Sequence, residues 1–142
     1  MKIVNFKLKI SVYSIIISNY MDSKRILLVE DDLLLQKLYS DLLTSEHYYV
    51  ETATDGMIAY QKMKEGGWDL VLLDIILPKL GGIEIVKKLK DEKAEKLNKN
   101  VVFLTNLEQG KEIDEIKKLD FRFLSKSNLT PNKFVDMVKS LL

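Results

Sequence analysis

Five polar residues stand where apolar runs of the chain end. Glu30 and Asp31 close the run Arg25 to Val29, Asp74 closes Leu70 to Leu73, Thr105 closes Val101 to Leu104, and Lys126 follows Phe121 to Leu124. If these runs lie side by side in a sheet, three carboxylates, a hydroxyl and an ammonium meet at one rim. Carboxylates gathered in this way repel one another and take up protons unless a cation joins them. Magnesium suits such a set. It takes oxygen ligands in octahedral geometry at ~2.0–2.1 Å and keeps several waters, so two or three carboxylates and a backbone carbonyl suffice. The cation also offsets repulsion between a phosphoryl group and a carboxylate nucleophile, while Lys126 can neutralise a further phosphoryl oxygen. Aspartyl carboxylates form acyl phosphates, which makes Asp74 a candidate covalent acceptor.

The elements that must position these residues follow from periodicity. Short apolar runs, Arg25 to Val29, Tyr48 to Ala53, Leu70 to Leu73, Val101 to Leu104 and Phe121 to Leu124, alternate with longer amphipathic segments, the pattern of a parallel α/β sheet. Four runs read as strands buried on both faces, whereas Glu51 and Thr52 make the second an edge strand with one wetter face. Apolar residues at helical spacing follow each run: Leu34, Leu35, Leu38 and Leu42; Ile58, Ala59 and Met63; Ile83, Val86 and Leu89; Ile113, Ile116 and Leu119; and Phe134, Val135, Val138 and Leu141. Asp32, Asp55 and Thr130 are N-cap candidates, with Pro131 suited to a first helical position, and Gly66-Gly67 and Gly81-Gly82 mark turns. Asp91 to Asn100 reads as a solvated, charge-rich helix end and loop. In doubly wound sheets ligands sit beyond the carboxyl ends of the strands, where the five polar residues lie.

Composition narrows the function classes. The 142 residues, 46% hydrophobic, suffice for one domain with its own core. Lys and Arg (22) almost cancel Asp and Glu (21), so nothing in the bulk charge points to direct nucleic-acid binding. The absence of cysteine excludes disulfides, thiolate zinc sites and thiol nucleophiles, and one histidine, His47, leaves little room for metallohydrolase chemistry. Near the N-terminus Val4, Phe6, Leu8, Ile10 and Val12 alternate with Asn5, Lys7, Lys9 and Ser11, the period of a one-sided β-strand. Lys7 and Lys9 break any signal-peptide core, no cleavage site follows, and Val12 to Ile17 is far short of the ~20 residues that span a bilayer, so neither secretion nor a membrane is expected. Residues 1–21 are therefore set apart as an extension, with Met21 as the simplest functional start and an extra strand as the rival account, and residues 22–142 form the domain.

The motifs ILLVEDD, LVLLDIILPKLGG, VVFLTN and FRFLSK resemble those of the receiver domain family of two-component signalling, over roughly residues 24 to 142. Pro78 four and Gly82 eight positions after Asp74, and Lys126 fifty-two after it, make the resemblance specific. It implies a flavodoxin-like doubly wound five-stranded parallel sheet in the order 2-1-3-4-5 with five helices. It further implies Asp74 as phosphoacceptor, Asp31 as a direct magnesium ligand, Glu30 as a ligand through water and Ile76 as a ligand through its carbonyl. Thr105 and Lys126 take the phosphoryl oxygens. Thr105 then moves toward the phosphoryl group as the aromatic at Phe123 changes rotamer; Phe123 has no hydroxyl, so this switch works by packing. The implied partners are a histidine kinase or histidine phosphotransfer protein and an unknown downstream protein, with a phosphorylation-dependent dimer, in the cytoplasm. The implied activity is autocatalytic phosphotransfer and autodephosphorylation rather than enzymatic turnover. No output domain is expected after the last helix.

Three departures bear on the chemistry. Ser127 stands where the family commonly has a cis proline, and an ordinary residue prefers trans by ~2.5–4 kcal/mol. Asn106 replaces a small residue after the threonine, and Ile76 and Leu107 place apolar side chains where the family controls attack by water, which leads us to expect a slowly hydrolysed phosphoaspartate. Asp32 is read as a helix cap rather than a third ligand, Trp68 as packing, His47 as a loop residue, and the lysines at 87, 88, 90, 117 and 118 as solvated faces. The alternative of a degenerate receiver acting as a phosphorylation-independent interaction module is opposed by the intact set of Glu30, Asp31, Asp74, Thr105 and Lys126. An aspartate-nucleophile phosphatase would need a second aspartate where Ile76 stands.

Overall fold

Residues with both faces of their strand covered by helices should be apolar without interruption, and Leu70 to Leu73 are. In the computed structural model, which describes residues 2–142, they form β3 (Leu70–Leu73), the middle strand of five. Its neighbours are β1 (Arg25–Val29) and β4 (Val101–Thr105), and the edges are β2 (Tyr49–Ala53) and β5 (Arg122–Ser125). All pairings are parallel and the order is β2-β1-β3-β4-β5, as the resemblance implies. Successive side chains point to opposite faces of a strand. Leu27, Val29, Val71, Leu73 and Phe103 accordingly pack against α3 (Gly56–Glu65), α4 (Gly82–Asp91) and α5 (Lys111–Lys118). Ile26, Leu28, Leu70, Leu72, Val102 and Leu104 pack against α2 (Leu33–Ser45) and α6 (Pro131–Leu141), where the rings of Tyr39 and Phe134 stack with centroids 4.3 Å apart.

Three expectations are corrected. Lys2 to Met21 form a helix, α1, instead of a strand, and bring the helices to six. A strand needs a neighbour to satisfy its amides and carbonyls, and neither sheet edge takes this segment, so the backbone pairs with itself. Among the described residues no helix is long and apolar enough to cross a membrane. β5 is only half-buried, because it closes the second edge of the sheet. The segment after α4 is not wholly solvated: it contains a 3-10 turn, Glu95–Leu97, and buries Ala94 and Asn98, whose side-chain amide donates to the Met63 carbonyl at 2.9 Å.

The loops after β2 and β3 are tied together beside the site. Asp55 caps α3 by accepting from the Met57 and Ile58 amides, and Lys79 Nζ donates to its other oxygen at 2.7 Å. Gly56 donates to the Pro78 carbonyl at 3.0 Å, and a Cβ at Gly56 would fall 1.6 Å from the Leu80 carbonyl oxygen. Gly56→Ala must therefore push the two loops apart, and its denaturant midpoint should fall by an amount equivalent to ~1–3 kcal/mol. The hydrogen bond from Lys79, then that from the Ile58 amide, holds the Asp55 carboxyl below its ordinary range. A depressed folded value stabilises above the unfolded value of about 4, and that stability is lost as pH falls through the folded value. Asp55→Asn, which can still cap α3, should flatten the acid limb of the stability profile measured by thermal unfolding between about pH 5 and pH 2.

Candidate functional site: a carboxylate and lysine cluster at the strand ends

Each site residue is placed by the strand that precedes it. The Glu30 amide continues the β1–β2 ladder by donating to Ala53 at 3.1 Å, and the Asp74 amide continues the β1–β3 ladder by donating to Val29 at 3.2 Å. These bonds set the two carboxylates side by side. Both are buried, Glu30 at 2% exposure and Asp74 at 8%, whereas Asp31 is exposed at the rim. One carboxylate oxygen from each of Glu30, Asp31 and Asp74 lies within 4.8 Å of the other two. Gly82 allows the loop after β3 to fold back against Asp74, since a Cβ there would lie 2.2 Å from the Asp74 carbonyl oxygen.

Lys126 begins the 3-10 turn Lys126–Asn128 after β5 and reaches across the sheet ends. Its buried ammonium donates to Asp74 Oδ2 at 2.7 Å and to Glu30 Oε2. Burial raises the Glu30 carboxyl above its ordinary value, opposed by the Lys126 ammonium and by the Asp32 amide, which donates to Oε1 at 3.1 Å. Burial works against the charged form of Lys126, but hydrogen bonds from its ammonium to Asp74 and Glu30 outweigh it and hold Lys126 above its ordinary value. With three carboxylates ionised against one ammonium, two negative charges remain, the charge that a divalent cation carries. Oxygen donors of this kind, one of them open to solvent, fit a hard cation that keeps waters.

The remaining expected residues are placed differently. Thr105, 1% exposed at the end of β4, accepts from the Leu107 amide at 3.1 Å. The Ile76 amide lies 3.4 Å from Asp74 Oδ1, its side chain is 62% exposed, and Leu107 packs partly against the core. Phe123 is half-buried against the same core layer, with Lys117 Nζ 5.7 Å from its ring centroid. Asp32 does cap α2, accepting from Leu34 and Leu35. The Lys126–Ser127 bond is trans, there being no cis peptide among the described residues.

Two sets of contacts escaped the sequence reading, which did not name Gln36 and named Ser127 only for standing in the place of a proline. Gln36, one turn into α2, donates to the Glu30 carbonyl at 2.8 Å and also reaches the Ala53 carbonyl at 3.4 Å, pinning the end of β1. Ser127 donates to Glu108 at 3.2 Å and bonds Ser125 at 2.7 Å, tying the turn after β5 to the loop after β4. Polar residues of these types occur on any surface, so only the fold marks them.

A family model of the response regulator receiver domain matches residues 26–139. The chain belongs to that family. Its receiver is 39% identical over 112 residues to the transcriptional regulatory protein CpxR homolog of Haemophilus influenzae, covering 79% of this chain and 45% of that protein. The chain spans about half the length of the first curated relatives it matches. Among solved structures it is similar to the chemotaxis response regulator CheY4 of Vibrio cholerae, with TM-score 0.73 and 25% identity over 84% of this chain and 99% of that one. It is also similar to the response regulator TrrA of Thermotoga maritima, solved in complex with Mg(2+)-BeF, with TM-score 0.69 and 29% identity over 84% and 99% of the two chains.

Removing the receiver's ammonium leaves two buried carboxylates facing each other. Lys126→Ala should lower stability at neutral pH, without divalent ions, by roughly 3 kcal/mol, and adding Glu30→Gln should restore part of it in a denaturation double-mutant cycle.

Proposed function

We propose that this receiver accepts a phosphoryl group on Asp74 from a histidine kinase or histidine phosphotransfer protein and thereby changes the surface offered to a downstream protein. The observation that carries the reading is the Lys126 ammonium held 2.7 Å from Asp74 Oδ2 within the cluster of Glu30, Asp31 and Asp74. An Asp74 oxygen attacks phosphorus while the bond to the donor imidazole nitrogen breaks. Asp31 and Asp74 would hold magnesium directly, Glu30 through water and Ile76 through its carbonyl, and the ion would supply charge neutralisation for the transferring group. Lys126 and the Thr105 hydroxyl donate to phosphoryl oxygens; Thr105 accepts the Leu107 amide on a lone pair, which leaves its proton free for this bond. Phe123 repacks as Thr105 moves, altering the face of α5, β5 and α6, which can then dimerise. Action as a single-domain regulator in the cytoplasm, without direct nucleic-acid or membrane binding, belongs to the same proposal.

Treatment with acetyl phosphate and magnesium should add one phosphoryl group to the wild type by intact mass and none to Asp74→Ala; an adduct on both or on neither contradicts the assignment. Ile76, whose amide lies 3.4 Å from Asp74 Oδ1, carries an exposed apolar side chain that excludes or misorients water. The adduct should therefore persist for many minutes, and Ile76→Asn should shorten its lifetime several-fold. Loss within seconds from the wild type would count against the shielding.

A further inference from the structure

Helix α1 has no place in the receiver's chemistry, yet it leaves an unusual amount of apolar surface in water. Phe6, Leu8, Ile10, Val12, Tyr13, Ile15, Ile16 and Ile17 are each 51–64% exposed. A helix of 20 residues, rich in β-branched side chains, is marginal in water when nothing packs on it. Its charges make matters worse, because the lysines at positions 2, 7 and 9 lie in its first half and no acid offsets them at the positive end of the helix dipole.

Apolar residues occur all round the helix, and part of them form one continuous line. Phe6, Ile10, Tyr13 and Ile17 follow 4-3-4 spacing, and the sequence carries the same spacing out to Ile3 and Tyr20. In a heptad frame every a position is isoleucine (3, 10, 17) and every d position is aromatic (6, 13, 20). A seam repeating at 3.5 residues is the pattern that one helix presents to another. Lys7, Ser11, Ser14 and Ser18 run beside it as a polar stripe.

We propose that α1 is a self-association helix that pairs with α1 of a second copy of this chain, antiparallel. The seam selects the occupant, because set against its own reverse it pairs an isoleucine with an aromatic residue in each layer, and charge selects the direction. A parallel pair would crowd the six lysines of two copies at one end, whereas an antiparallel pair sets each basic first half beside the partner's uncharged second half and the negative end of its dipole. In that register Phe6 faces Ile17 of the second copy, and Ile10 faces Tyr13 of the second copy. The seam is about 26 Å long. Leu8 and Ile15, at f positions, stay on the outside. The pairing needs no phosphoryl group and uses no residue of the Asp74 site.

Sedimentation velocity on the unphosphorylated full chain should give twice the monomer mass. Ile10→Lys/Ile17→Lys should give the monomer with the domain's melting temperature unchanged, and Leu8→Lys/Ile15→Lys should remain a dimer. The chain has no cysteine of its own, so direction can be read by crosslinking: Phe6→Cys mixed with Ile17→Cys should form the mixed disulfide, and neither should crosslink to itself. A monomeric wild type, a mass above two copies, equal behaviour of the two lysine variants, or self-crosslinking of Ile17→Cys overturns the proposal. So does a monomer that sediments with phosphatidylglycerol vesicles, which would assign the apolar surface to a lipid interface.

Discussion

A single ammonium stands between two carboxylates that would otherwise repel each other inside the protein. Lys126 bonds Glu30 and Asp74 where all three are buried, and a buried charge is tolerable only when it is paired and hydrogen-bonded. The rest of the architecture serves this placement. The ammonium arrives on the turn after β5, while the carboxylates end β1 and β3, so the cluster exists only when the edge strand and the centre of the sheet are in register. Folding and site assembly are therefore one event. The Asp55–Lys79 pair, the close approach at Gly56 and the Gln36 bonds to the ends of β1 and β2 hold the same rim from the other side.

The site keeps its charge unbalanced at the solvent side. Glu30 and Asp74 share the one ammonium of Lys126, while exposed Asp31 has no such partner in the cluster. This asymmetry favours a hard cation entering from the rim over one locked into the core. It also leaves Asp74 in contact with both the buried ammonium and the open edge, the position a transferred group must reach.

Much of this was legible in the residues because strand ends are legible. Leu70 to Leu73 could hardly be anything but a central strand, and once such runs are parallel their next residues must share a rim, which brought Glu30, Asp31, Asp74 and Lys126 together on paper. The edge character of β2 showed in Glu51 and Thr52, but that of β5 did not, since Phe121, Phe123 and Leu124 are apolar for packing against helices on either side of an edge. The alternation from Val4 to Val12 misled, because period-2 patterning says nothing about whether a partner strand exists. Gln36 and Ser127 were illegible for a different reason: their roles depend on which carbonyl or carboxylate the fold sets opposite them.

The central claim, that these strand ends form a divalent-cation and phosphoryl site, is tested most directly by titrating the 15N-labelled chain with magnesium and following amide resonances. The account predicts saturable shifts confined to the strand-end residues around Glu30, Asp31, Asp74, Ile76 and Lys126, abolished in Asp31→Asn. Shifts scattered over the surface, or saturable shifts that persist unchanged in Asp31→Asn, would contradict it.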